Sequence, residues 1–398
     1  MKKKLILSLL FVAILNNSGF SMSHKTPIKK DFTWLKKGIE TASFQLKLLC
    51  KNTKLTYDTV AYPRSVKNGA VTYVNSFDWT SGFFPGSIWY GYELTGDKHF
   101  LKEARYFTNG LQKIQYYTGN HDIGFMMYCS FGNAIRLAPK NGDNAILINS
   151  SKSLISRYNP KVGLIRSWDF GAWKYPVIID NMMNLELLFW ASKKTNNPIY
   201  KNIAISHANK TLNNHFRENM STYHVVSYEP NSGKVESKGT FQGYADSSSW
   251  ARGQAWALYG YTVCYRETKN PKYLKRAQQI ASYIMNNPSI PSDKIPYWDY
   301  NAPKIPNEPR DASAAAITAS ALLELYRIGG NEKKYFKYAE DILKTLSSDS
   351  YLAQKGENNG YILKHSVGSF PHTSEVDVPL NYADYYYLEG LQRYIKQI

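Results

Sequence analysis

RETKNPKY (266–273) closes one helical run and opens the next within a few residues. Asn takes the left-handed conformation that ends a helix, or caps the one that follows, and Pro suits a first helical turn. Three further stretches repeat the pattern: YELTGDKHF (92–100), SKKTNNPIY (192–200) and RIGGNEKKY (327–335). Joints this short make the flanking helices antiparallel neighbours.

Outward from these joints, apolar residues return at three- and four-residue steps almost throughout. The pattern predicts twelve helices, over 31–50, 80–95, 98–117, 124–138, 144–158, 179–195, 198–216, 250–268, 271–287, 311–329, 332–348 and 381–397. The remaining connections (117–124, 158–179, 216–250, 287–311 and 348–381) are mostly longer and rich in Gly, aromatics and charges. Short and long links in alternation predict an all-α ring of six helical hairpins, an (α/α)6 barrel, with the longer loops gathered over one face. The second helix series, every other helix starting from 80–95, should be the inner one, because segments such as DASAAAITASALLEL (311–325) are rich in small residues. An open helical solenoid is the alternative. No Pro/Gly/Ser-rich linker divides the chain, so 23–398 reads as a single domain.

Ahead of it, Lys2, Lys3 and Lys4 precede the apolar LILSLLFVAIL (5–15) and the polar NNSGFSMS (16–23), the pattern of a secretory signal peptide over 1–22. No later segment reaches the roughly 18 to 20 apolar residues needed to cross a bilayer, so a soluble, periplasmic mature protein without membrane partners is expected. Cys50, Cys129 and Cys264 are an odd, widely spaced set in apolar surroundings and read as buried thiols. Lys+Arg 49 against Asp+Glu 31 gives a formal charge of +18, which implies an anionic partner. The basic residues are scattered and no nucleic-acid motif is present, so an acidic saccharide fits better than nucleic acid. Tyr 32, Phe 17 and Trp 9 exceed what a core of this size needs, and the excess suits stacking on sugar rings.

With the long loops on one face, the residues entering each inner helix converge there. They include Trp79 and Thr80, His121 and Asp122, Asp180 and Asn181, Trp250, Arg252, Gln254 and Trp256, Asp311, and Tyr382 with Asp384. Any one Asp at a helix start has an ordinary role as an N-cap. Their recurrence around one mouth points instead to a pair of carboxylates with cationic and aromatic neighbours, suited to acid/base work on a saccharide. No HxxxH, HExxH, CxxC, GxSxG or GxxxxGK[ST] pattern occurs, so no metal or other cofactor is implied.

These residues lie in six ordered motifs: FDWTSGFFPGSIWYGYELTGD (77–97), HDIGFMMYCSFG (121–132), IIDNMMNLELLFWAS (178–192), QGYADSSSWARGQAWALYGY (242–261), DASAAAITASALLEL (311–325) and NYADYYYLEGL (381–391). From about residue 75 onward the chain resembles the unsaturated glucuronyl hydrolases of glycoside hydrolase family 88. The resemblance implies removal of the unsaturated uronic acid that polysaccharide lyases leave at a non-reducing end. It implies that Asp180 protonates C4 of the C4=C5 double bond and helps water add at C5. Asp122 would be the second carboxylate, either a nucleophile or a partner that positions sugar and water. It further places Arg252, Trp256, His224, Gln242 and Thr240 on substrate-contacting positions, with Arg252 facing the uronate carboxylate. His121 and Trp79 join them from the mouth, and Ser369, with Ser366 and His372, lies where the next sugar or its sulfate would be read. The basic surplus favours sulfated glycosaminoglycan fragments. Alternatives are an unsaturated rhamnogalacturonyl hydrolase and a non-catalytic carbohydrate-binding barrel. The oligomeric state is not legible.

Overall fold

The computed structural model describes residues 31–56 and 60–398. The leader expected over 1–22 lies outside the described residues. Thr33–Ile398 form one compact unit.

In chain order the helices are α1 (Thr33–Thr56), α2 (Phe83–Thr95), α3 (Lys98–Asn109), α4 (Ile123–Met127), α5 (Asn133–Leu137), α6 (Asp143–Ile155), α7 (Leu185–Thr195), α8 (Pro198–Asn214), α9 (Ala251–Thr268), α10 (Pro271–Met285), α11 (Ala312–Ile328), α12 (Lys333–Leu346) and α13 (Asn381–Ile395). A π turn, Tyr128–Gly132, joins α4 to α5, and a 3-10 turn, Ile179–Asn184, leads into α7. Helices α2, α4–α5, α7, α9, α11 and α13 form the inner ring, which closes where α13 packs on α2. The others form the outer ring, and the expected (α/α)6 barrel is observed. Small residues explain the inner placement of α11, whose Ala312–Leu325 stretch is buried throughout.

Caps set the joints. Asp97 accepts from His99 N, Asn197 from Ile199 N and Asn270 from Lys272 N, each cap contributing about 1 kcal/mol. Gly96 and Asn196 close α2 and α7 in the left-handed conformation, as their types predict. At 266–273 it is Lys269 that turns left-handed, freeing Asn270 to cap α10. At 327–335 two residues, Gly330 and Asn331, make the turn, and Glu332 precedes α12 without a side-chain cap.

Three expected helices are interrupted. The run over 98–117 ends at Asn109, and a 3-10 turn covers Gln112–Tyr116. Over 124–138, Ser130 Oγ donates to Met126 O and Asn133 Nδ2 to Cys129 O around the π turn. Residue 179 opens the 3-10 turn because the strand before it pairs in a sheet.

Few strands were expected, yet the longer connections fold into small antiparallel sheets. They are β1 (Tyr62–Lys67) with β2 (Ala70–Val74), β3 (Tyr158–Asn159) with β4 (Leu164–Ile165), β5 (Pro176–Ile178) with β6 (Val225–Tyr228) and β7 (Val235–Gly239), and β8 (Ser366–Ser369) with β9 (Ser374–Val378). All three cysteines are free and buried. No helix of the described residues is long and apolar enough to cross a membrane.

Candidate active site

Asp122 sits immediately before α4 and Asp180 in the 3-10 turn before α7. The two segments are pinned together by Asn184, whose Oδ1 accepts from Phe125 N at 2.8 Å. Gly124 permits this approach: a Cβ there would lie 2.4 Å from that oxygen. As a result both carboxylates line one cavity of about 350 Å³ at the N-terminal ends of the inner helices.

Burial dominates their electrostatics. It pushes the Asp180 carboxyl up to about 7, against the opposing pull of the Arg252 charge and the indole N–H of Trp256. Asp122 is raised well above the ordinary carboxyl range by burial, then by the charges of Asp180 and Asp78. Burial raises both carboxyls and so favours keeping a proton on the pair, the condition for one of them to act as an acid. His121 Nε2 lies 3.3 Å from Asp122 Oδ1, and burial lowers the pKa of that imidazole to about 3, so it stands neutral beside the carboxylate.

Of the residues expected to contact substrate, Trp79, His121, Gln242, Arg252 and Ser369 line the cavity with the two aspartates. Arg252 is already engaged: it is 1% exposed, and its guanidinium donates to Asp311 Oδ2 at 3.2 Å, to Gly368 O at 2.5 Å and to Val367 O. It anchors β8 to the inner ring, and only its Nε lacks a partner. Gln242 Nε2 likewise donates to Gly368 O at 3.1 Å. Ser369 Oγ lies 2.7 Å from His372 Nδ1 at the rim.

Three expected contacts do not reach the cavity wall. Trp256 is fully buried beneath Asp180, packed on Phe125 and Tyr386. Thr240 shapes a turn, its Oγ1 accepting from Gly243 N and its N–H donating to Asp246. His224 is buried behind the wall, its Nε2 3.6 Å from Asp180 Oδ2. Ser366 is also fully buried, which removes it from the reading of a distal sugar.

Other lining residues carried no local sequence signal. Arg64 from β1 binds Glu375 of β9 through Nε and Nη2 at 2.6 and 2.9 Å and Asp78 at 2.8 Å, fixing the β8–β9 hairpin beside the carboxylates. Both arginines of the cavity are thus paired with acids, so the bulk positive charge is not expressed there as a free cation. Trp168 and Phe170 stack with parallel rings 4.9 Å apart, and Phe241 meets both. Phe170 is 54% exposed at the rim, a platform for a sugar face. The remaining acids of the inner helix starts are structural: Asp311 caps α11 through Ser313 N, and Asp384 accepts from Ile362 N and Leu363 N.

A second cavity, about 680 Å³, opens at the opposite end of the barrel. Its wall is a network in which Arg266 bridges Glu186, Glu267 and Glu324 while Arg393 bridges Glu324 and Glu389. Among the described residues no cluster of His, Cys, Asp or Glu is arranged to hold a metal ion.

No protein-family model matches the chain. It is 49% identical over 337 residues to an unsaturated glucuronyl hydrolase of Formosa agariphila, covering 83% of this chain and 84% of that protein. A crystal structure of an unsaturated glucuronyl hydrolase specific for heparin superposes with a TM-score of 0.90 at 54% identity, covering 92% of this chain and 99% of the other. An aspartate-to-asparagine mutant of the Streptococcus agalactiae unsaturated glucuronyl hydrolase, complexed with dGlcA-GalNAc6S, superposes with a TM-score of 0.76 at 27% identity, covering 92% of each chain. With the paired aspartates of the mouth and this likeness over nearly the whole described chain, the protein belongs to the unsaturated glucuronyl hydrolases, glycoside hydrolase family 88.

Proposed function

We propose that the protein removes the 4,5-unsaturated glucuronic acid from the non-reducing end of lyase-generated glycosaminoglycan oligosaccharides. The observation that carries this reading is the Asp122–Asp180 pair, two carboxyls with raised pKa values on one small aromatic-walled cavity. Asp180 gives its proton to C4 of the vinyl ether, and the positive charge that develops at C5 is shared with the ring oxygen. Water adds at C5 and returns a proton to the Asp180 carboxylate, while Asp122 orients the sugar and the water. The C5 hemiketal opens, and the bond to the next sugar is lost without displacement at C1. The leaving sugar lies against Trp168, Phe170 and Phe241.

Loss of the ultraviolet absorbance of the C4=C5 bond, followed over a panel of unsaturated chondroitin, hyaluronan, heparin and rhamnogalacturonan disaccharides, tests the assignment. Turnover of a glycosaminoglycan disaccharide, abolished in Asp180→Asn and Asp122→Asn proteins that fold normally, is the expected outcome. Turnover confined to the rhamnogalacturonan product would refute it. The paired state of Arg64 and Arg252 predicts no preference for sulfated over unsulfated disaccharides, in contrast to the expectation from bulk charge.

We also propose export, on the strength of Lys2–Lys4 and the apolar run 5–15. N-terminal sequencing of protein recovered from the periplasmic fraction should begin near residue 23, and an intact Met1 there would contradict it.

A further inference from the structure

His224 lies at the entry to β6, and its carbonyl accepts from Ile179 N, the residue before Asp180. Its ring is held just as firmly. Nδ1 accepts two backbone N–H groups, from Phe241 at 3.0 Å and from Gln242 at 3.1 Å. A ring nitrogen that accepts twice carries no hydrogen of its own, so the hydrogen of the neutral imidazole sits on Nε2. Nε2 is buried without a hydrogen-bond partner, and so is Asp180 Oδ2, 3.6 Å away. Trp250 packs on the ring at 4.6 Å and keeps it from swinging out. Burial and the nearby Arg252 charge hold the imidazole well below its usual pKa.

We propose that His224 is a positioning residue for Asp180: a fixed Nε2–H donor that aims Oδ2 and takes no part in carrying the proton. The proposal rests on the reading of Asp180 as proton donor. Because His224 lies outside the cavity wall, it acts through Asp180 and not on the sugar. An inward shift of about 0.5 Å brings the two atoms within hydrogen-bond distance. The groups that face the Asp180 carboxyl are Asp122, Arg252, Trp256 and His224; beyond them lie Asp78, Arg157 and the neutral His121 and His215. With both imidazoles beside the carboxylates neutral, the catalytic proton stays on the aspartate pair.

Two substitutions separate the ring's two roles. His224→Gln places an amide nitrogen near the Nε2 position and keeps the donor; His224→Asn keeps an acceptor near Nδ1 and loses the donor. His224→Gln should retain most of kcat and the wild-type pH profile. His224→Asn should lose at least about tenfold in kcat with KM little changed. Its alkaline limb should move upward by up to about one unit, since a donor that favours the carboxylate has gone. Equal loss in both variants with one limb abolished would make His224 a proton carrier, and a change confined to Tm and KM would make it structural; either result overturns the proposal. Should a variant fail to fold, the ¹⁵N spectrum of the wild-type imidazole decides. Nε2 should be protonated and Nδ1 bare, unchanged over about pH 5–8, and a ring that titrates there or carries its hydrogen on Nδ1 would refute the assignment. That spectrum needs no substrate, so its outcome is independent of whether Asp180→Asn abolishes turnover.

Discussion

Replacing Asp180 with Asn should inactivate the enzyme and, above neutral pH, stabilise it. Burial raises the Asp180 carboxyl in the folded protein from 3.8 to about 7. Between those values the folded chain binds more protons than the unfolded chain, so stability falls as pH rises through that window. A shift of about three units at 1.36 kcal/mol per unit gives an upper bound of about 4 kcal/mol at pH 8, with coupling to Asp122 spreading part of it over both groups. Asn has no charge to bury and lacks this penalty. Denaturant melts of the two proteins at about pH 4 and pH 8 measure it, the difference between them appearing as a change in midpoint at constant slope. The variant's relative stability should be greater at pH 8 than at pH 4 by roughly 2 to 4 kcal/mol. Asp384, also raised to about 7 but held by two backbone N–H groups, contributes equally to both proteins and cancels. A difference that is independent of pH, or a variant relatively less stable at pH 8 than at pH 4, would refute the claim that Asp180 is a strained buried acid.

Two other outcomes follow from the geometry. Phe170→Ala removes the exposed half of the stacked pair at the rim, and steady-state kinetics on a disaccharide should show KM raised by roughly 3- to 10-fold, about 1 kcal/mol of lost stacking, with kcat nearly unchanged. Glu324→Gln breaks a buried ion network at the far end of the barrel, where Arg266 and Arg393 hold its carboxyl down to about 2. Chemical denaturation should register a loss on the order of 3 kcal/mol, and kcat of the folded fraction should not move.

The helical hairpins were legible because each joint is written in adjacent residues, a left-handed closer followed by a cap. Asp180, Asp311 and Asp384 were harder to tell apart, since all three stand at inner helix starts and all are buried. What distinguishes them is tertiary: Asp311 caps its own helix and pairs with Arg252, Asp384 takes two amides from a distant loop, and Asp180 Oδ2 takes none. The family resemblance singles out Asp180 as the acid, a choice that local rules alone do not make. Arg64 and Glu375 were invisible because their pairing joins residues 311 apart in sequence. The Trp168–Phe170 platform sits on a loop with no period, and aromatic excess alone does not say which rings are exposed. Trp256 was expected at the sugar because it shares a motif with Arg252, and Thr240 and His224 because of the family resemblance alone, although none of the three side chains lines the cavity.

The ring closes only when α13 packs against both α2 and α11. Until α13 emerges, the flanks of α2 and α11 that it covers have no partner, and Tyr382 of the cavity wall is missing. A nascent chain can therefore form hairpins one by one, but it acquires neither a closed ring nor a complete cavity wall before α13 has left the ribosome.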